Sequence, residues 1–155
     1  WKTCTNKSDP AVSDEIYQLF TSILPSLPIP LAISLLQAVQ LTMHTSMIEV
    51  AEFCSCLANH IPIDALLPEE VRSIILDLMW FVLTHSDAST FKCYDILKKH
   101  VSNQLRREPF GRRHREKFLK TCAETLMKNV QLVNPGPDEA FALRMVRLTH
   151  FVLEA

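Results

Sequence analysis

Two cysteines and two histidines lie close together in the first half of the chain. Cys54 and Cys56 are separated by one residue, with His44 and His60 on either side, and thiolates and imidazoles are side chains that bind zinc. A structural zinc ion needs four converging ligands. Residues two apart on a helix point about 200° apart, so Cys54 is expected in a core stripe and Cys56 on the opposite, polar side. The sequence therefore favours one buried and one surface thiol over a metal site.

Catalytic groups are equally hard to assemble from the remaining residues. Cys122 lies in an apolar stripe with no histidine beside it, whereas a nucleophilic cysteine needs a base and an orienting group. The six histidines are dispersed and show no metal-ligand spacing: His44, His60, His85, His100, His114 and His150. Gly111 and Gly136 are the only glycines, too few for a phosphate-binding loop. We therefore expect no enzyme, no cofactor and no small-molecule substrate.

Asp77 is a carboxylate in the most apolar stretch of the sequence, Pro68 to His85. A buried acid is costly unless it is paired. Either a polar strip formed by Ser73, Asp77 and Thr84 meets solvent, or Asp77 pairs with a base from a neighbouring helix. The structural salt bridge is preferred to a catalytic acid. A catalytic acid would need a partner carboxylate or a metal, and the other acids of this stretch, Glu69 and Glu70, are expected at the helix N-terminus.

A cluster of basic residues stands out near the middle of the C-terminal half. Its members are Arg106, Arg107, Arg112, Arg113, Arg115, Lys117 and Lys120. On the helix predicted to follow, Arg113, Lys117, Lys120 and Lys128 fall within a strip of about 80° that Glu124 interrupts. Such a ridge can follow a phosphate backbone, but aromatic residues for base stacking are nearly missing. An acidic protein partner is therefore preferred to nucleic acid, which stays as the alternative.

The last predicted helix is apolar on more than one side. Its core stripe is formed by Phe141, Met145, Leu148 and Val152. Leu143, Val146 and Phe151 lie off this stripe, beside Arg147. A helix that is apolar beyond one face is usually covered on a second face. These residues are therefore predicted to contact a partner protein, a second copy, or the next helix of a parent protein.

Seven helices are expected to position these residues. The stretch Pro68–His85 is apolar around most of its circumference and predicts a central, buried helix. Ser13 or Asp14 is the expected cap of the first helix, whose core face would be Ile16, Leu19, Phe20 and Ile23. The other predicted helices span about 30–43, 46–59, 88–107, 112–133 and 138–153, and a short helical turn is expected at 65–67. The helix at 88–107 is expected to have Ser86 or Asp87 as its cap, to end at Pro109–Gly111 and to bury the stripe Cys93, Tyr94, Leu97, Val101 and Leu105. Asp138 is the expected cap of the last helix.

These patterns predict an all-α fold, either a solenoid-like array of α-α-hairpins or an irregular helical bundle. Residues 1–12 are interpreted as a disordered N-terminal end and 13–155 as a single domain. The chain starts without methionine and ends in mid-pattern, which indicates a fragment of a larger protein. Five cysteines, an odd number, indicate a reducing compartment, cytoplasm or nucleus.

The function expected from the sequence is non-enzymatic. We expect a scaffold or adaptor domain of an intracellular protein, which binds another protein or itself through helix faces, and no membrane. The residues expected to bind the partner are Arg112, Arg113, Arg115, Lys117, Lys120, Leu143, Val146, Arg147 and Phe151. A nucleic-acid-associated module that uses the basic residues between 106 and 128 is the alternative.

Overall fold

A computed structural model describes residues 10–43, 47–60, 67–85, 93–130 and 139–155. Within these ranges the chain is all-α, as predicted, with seven α-helices, one short 3-10 helix and no strand. The helices are α1 (Pro10–Ile23), α2 (Ile29–Gln40), α3 (Met47–His60), α4 (Glu69–His85), α5 (Tyr94–Leu105), α6 (Phe110–Val130) and α7 (Glu139–Glu154); the 3-10 turn Leu24–Ser26 follows α1.

Three helix starts differ from the sequence prediction. Helix α5 begins at Tyr94, after the predicted start at about residue 88. Helix α1 begins at Pro10, ahead of the expected cap at Ser13 or Asp14, because proline is compatible with the first turn of a helix. Phe110 and Gly111 form the start of α6 and do not terminate the preceding helix. Several predictions involve residues outside the described ranges: the caps Ser86, Asp87 and Asp138, the turn at 65–67, and His44. Of the N-terminal end predicted to be disordered at 1–12, residues 1–9 also lie outside these ranges, and residues 10–12 are helical.

The described residues up to Lys98 form one compact unit, and those from Lys99 onward form a second. Both lie within the region for which the sequence predicts a single domain, and the boundary falls inside α5. Residues 1–98 contain five basic and eleven acidic side chains, a net charge of −6, whereas residues 99–155 contain eleven and six, a net charge of +5. Opposite net charges therefore distinguish the two units.

In the first unit, α3 and α4 occupy the centre. Helix α1 packs on α3, α3 packs on α4, and α4 packs on α2. The α4 residues Ile75, Leu78 and Met79 are fully buried, so Pro68–His85 is central as predicted. Val50 of α3 is equally buried.

The polar strip expected on α4 is only partly exposed to solvent. Ser73 and Asp77 are half-buried, but Thr84 is buried, and its hydroxyl donates to the Phe81 carbonyl oxygen at 2.8 Å. Trp80, expected at the border of the strip, is buried as well. A hydroxyl that bonds to its own helix no longer needs water, and this explains why the strip narrows toward the helix end.

Helix α1 buries a different face from the predicted one. Tyr17, Thr21 and Leu24 are inside, and the Thr21 hydroxyl donates to the Tyr17 carbonyl oxygen at 2.7 Å. Leu19, predicted to be core, is 60% exposed, and Ile23 is also exposed. The aromatic ring of Tyr17 packs edge-on against Phe53 of α3. Ile16 and Phe20 of the predicted face are half-buried, so the buried face of α1 is rotated toward Tyr17 and Thr21.

In the second unit, α6 packs along α7. Helix α5 contains the boundary between the two units, and its residues Leu97, Val101 and Leu105 form a buried stripe, as predicted. Met145, Leu148 and Val152 form the buried stripe of α7. No helix in the described part of the chain is long and apolar enough to cross a membrane.

Candidate interaction surface

The surface predicted to bind a partner lies on α6 and α7 of the second unit. Its geometry depends on the turn between α5 and α6, where the Arg115 guanidinium donates to the carbonyl oxygen of Leu105 and to the carboxylate of Glu108. Arg115 is thus half-buried and directed toward the turn, away from the exposed basic side chains with which the sequence analysis grouped it. It holds the end of α5 against the first turns of α6.

Gly111 lets the two helix ends approach closely. A Cβ atom at this position would overlap the Leu105 carbonyl group and lie 2.9 Å from the carbonyl oxygen of Gln104. Both neighbours are backbone atoms, which cannot rotate away as a flexible side chain can. This glycine therefore supports a close helix contact, a role unrelated to ligand binding.

Two aromatic residues and a histidine anchor the first half of α6. Phe110, His114 and Phe118 are buried, and the His114 ring lies between the other two, with centroid distances of 4.3 and 5.9 Å. His114 Nδ1 is 2.9 Å from the Phe110 carbonyl oxygen. His114 is therefore a packed core residue, and the opposite side of α6 faces solvent.

Farther along α6, Cys122 is buried against α7. Burial raises the pKa of the Cys122 thiol, and a hydrogen bond with the Thr149 side chain partly opposes this rise. The Thr149 hydroxyl also donates to the Met145 carbonyl oxygen at 2.8 Å. A protonated, buried thiol is a poor nucleophile, so Cys122 acts as a small core residue, which agrees with the sequence interpretation.

The outward side of α6 carries the basic ridge, defined here as Arg113, Lys117, Lys120 and Lys128. All four side chains are exposed, as is the neighbouring Arg112. Two acids share this side: Glu116 lies beside the ridge, and Glu124 is 3.9 Å from Lys120. An exposed i, i+4 pair of this kind contributes little stability. The ridge is thus a mixed surface in which positive charge dominates.

The outer strip of α7, defined here as Leu143, Val146, His150 and Leu153, is the second exposed surface. Leu143 is 51% exposed, Val146 53% and Leu153 67%. Arg147 is exposed beside the strip, and His150 Nδ1 lies 3.2 Å from Glu154 Oε2. The exposure of Leu143 and Val146 agrees with their predicted position off the core stripe.

Phe151, predicted to lie on the exposed surface with Leu143 and Val146, is not part of the outer strip, whereas Leu153 is. Phe151 is half-buried and lies on a different side of α7 from Val146. Leu153 was missed by the sequence analysis, although its spacing of seven residues from Val146 places both on one side of a helix. That spacing was the available signal.

Candidate sites for metal or thiol chemistry receive no support from the described residues. None of the groups of histidine, cysteine, aspartate and glutamate in the described ranges could hold a metal ion. Cys54 is buried, and its thiol pKa is raised mainly by that burial. Cys56, expected on the polar side, is half-buried, and its Sγ lies 3.4 Å from the Thr21 hydroxyl of α1. The contact between α1 and α3 accounts for this difference.

An acidic group of side chains lies where α1 meets α3. Burial raises the pKa of Glu52, and the negative charges of Asp14 and Glu49 raise it further. Burial is also the main cause that raises the pKa of the Tyr17 hydroxyl, and the negative charges of the same three acids raise it further. Like charges thus accumulate in the first unit, consistent with its net charge of −6.

In comparisons with known proteins, no family model, curated protein or solved structure matches the chain.

Proposed function

We propose that this chain is a non-enzymatic helical interaction module that binds an acidic protein surface through the basic ridge of α6. The observation that carries the proposal is the placement of the ridge. Arg113, Lys117, Lys120 and Lys128 are exposed along one helix, within a unit of net charge +5. Positive surfaces of this kind accelerate association with acidic partners and select among them.

The opposite side of α6 explains how the ridge is held in place. Phe110, Phe118 and Cys122 are buried, and the contact with α7 fixes the rotation of the helix. The basic side chains are therefore presented by a rigid element, which limits the ordering cost of binding. Folding does not depend on them, because exposed positions contribute little to stability.

A nucleic-acid-associated module is the second candidate. The spacing of the ridge along more than four helical turns favours it, since such a line of cations can follow phosphates. Glu116 and Glu124 lie on the same side of α6 and argue against nucleic-acid binding, because their negative charges would face the phosphates. The two candidates differ in salt dependence, which is steep when several counterions are released from a nucleic acid.

The test compares two double variants of equal charge change. Arg113→Glu with Lys117→Glu reverses the ridge, and Lys98→Glu with Lys99→Glu reverses two exposed lysines of α5 as the matched control. Affinity capture with quantitative mass spectrometry, after nuclease treatment, should recover the same defined partner with the wild type and with the control. The ridge variant should lose it.

Direct binding measurements with a purified captured partner and with a random DNA duplex complete the test. A ridge variant that binds the partner as tightly as the wild type contradicts the proposal. Tight duplex binding that falls steeply with salt, together with loss of all capture after nuclease treatment, favours the second candidate.

A further inference from the structure

The outer strip of α7 plays no part in the proposal for the basic ridge. We propose that it pairs in antiparallel fashion with α7 of a second copy of this chain. The spacing of Leu143, Val146, His150 and Leu153 is three, four and three residues, which keeps all four within about 80° on one side of the helix. A strip with this spacing fits along a partner helix.

Charge is arranged along α7 so that the helix complements itself when reversed. Glu139 lies at the N-terminal end of the exposed side, and Arg147 lies in the C-terminal half. The neighbouring His150 lies 3.2 Å from Glu154 of its own helix. When two copies run in opposite directions, Glu139 of each copy faces Arg147 of the other. A two-fold axis then produces the same pair of contacts at both ends.

The apolar centre of this arrangement is formed by Leu143 of one copy against Val146 of the other, twice. Both residues are about half exposed in one copy, so pairing removes their apolar surface from water. Leu153 lies beyond the overlap of the two helices. The contact is small, and the dimer is consequently weak and dependent on concentration.

Two other ways of pairing the helices bring like charges together. A parallel pair in register places Glu139 against Glu139 and Arg147 against Arg147. An antiparallel pair shifted to match Leu143 with Leu153 brings the two Arg147 side chains together. Like charges across an interface disfavour both, and antiparallel helix dipoles add a small further preference.

The association is measured by sedimentation velocity of the full chain at pH 8 over protein concentrations from about 10 μM to 1 mM, the range in which small interfaces associate. The wild type should shift reversibly from monomer to dimer. Leu143→Ser with Val146→Ser should stay monomeric, whereas Leu153→Ser should dimerise like the wild type. Leu153 is the matched control, being the more exposed residue of the same strip.

Charge reversal tests the orientation without removing apolar surface. Glu139→Arg should weaken the dimer at least about tenfold, since like charges then face each other. Adding Arg147→Glu to that variant should restore dimerisation. A parallel pair gains nothing from this second change, because each residue faces its own copy.

Thermal melting checks that every variant is folded. Glu139→Arg and Arg147→Glu should leave the fold intact, because both positions are exposed. A wild type that remains monomeric at 1 mM, a concentration well above that of most specific complexes, would overturn the proposal. So would loss of dimer in Leu153→Ser, or failure of Arg147→Glu to rescue Glu139→Arg. None of these results depends on whether the basic ridge of α6 binds a partner.

Discussion

The guanidinium of Arg115 donates a hydrogen bond to the main-chain carbonyl oxygen of Leu105, ten residues earlier in the chain. Leu105 is the last residue of α5, and its carbonyl belongs to the group that has no partner within the helix. The side chain also pairs with Glu108 in the connecting turn. One arginine thus closes the end of one helix and fixes the start of the next.

Replacing Arg115 should therefore destabilise the protein. We expect Arg115→Ala to lower the free energy of unfolding by about 1–2 kcal/mol, as loss of a charge-assisted hydrogen bond does. Arg112→Ala is the control, an exposed arginine three residues away that should change stability by less than about 0.5 kcal/mol. Urea denaturation measures both. Equal losses in the two variants would contradict the structural role of Arg115.

Leu78→Ala should be far more damaging than a similar change at the surface. Leu78 is fully buried in α4, and deletion of a buried leucine side chain costs about 2–5 kcal/mol. Leu41 is 84% exposed in the first unit, so Leu41→Ala provides the comparison. A loss below about 1 kcal/mol for Leu78→Ala would mean that α4 is not central.

Glu52→Gln should stabilise the protein at neutral pH. The pKa of Glu52 is raised by burial and by the charges of Asp14 and Glu49, so ionisation is less favourable in the folded state than in the unfolded one. This destabilisation is present above the ordinary carboxyl pKa of 4.5 and vanishes below it. The melting temperature of Glu52→Gln should thus exceed that of the wild type at pH 7 and approach it near pH 3, where the carboxyl group is protonated in both states. A gain in melting temperature that is larger at acid pH than at pH 7 would contradict the raised pKa of Glu52.

Alkaline pH should weaken folding through the buried thiol of Cys54. Burial and the nearby Cys93 raise its pKa above the ordinary value of 9.0. The unfolded chain then releases this proton at lower pH than the folded chain, so stability is complete below pH 9 and falls as pH rises. Urea denaturation at several pH values should show this fall, and Cys54→Ala should reduce its slope. Constant stability across that range would contradict the prediction.

The sequence predicts the buried elements well where apolar residues surround the helix. Pro68–His85 is apolar except for the narrow strip of Ser73, Asp77 and Thr84, so its central position in the first unit follows from the pattern alone. The stripe Leu97, Val101 and Leu105 of α5 was equally clear. In both cases one arrangement buries far more apolar surface than any other.

Prediction fails where a helix offers two alternatives. Helix α1 could have buried either the face of Leu19 and Ile23 or the face of Tyr17 and Thr21. The choice depends on Phe53 of another helix, which the local pattern does not contain. Arg115 is a different case. At about 100° per residue it lies close to Cys122 on the inner side of α6, so its inward direction could have been read from the sequence, although Leu105 as its partner could not.

The separation of charge between residues 1–98 and 99–155 affects the attraction between copies of the protein and therefore its solubility. A net charge of −1 suggests a nearly neutral molecule, but each copy carries a strongly acidic and a strongly basic unit. Near the isoelectric point of about 6.6, the acidic unit of one copy attracts the basic unit of another at low ionic strength. At 0.1 M salt this attraction is screened beyond about 10 Å. Solubility near this pH should therefore rise when salt is added, and turbidity measured against ionic strength would reveal this salting-in.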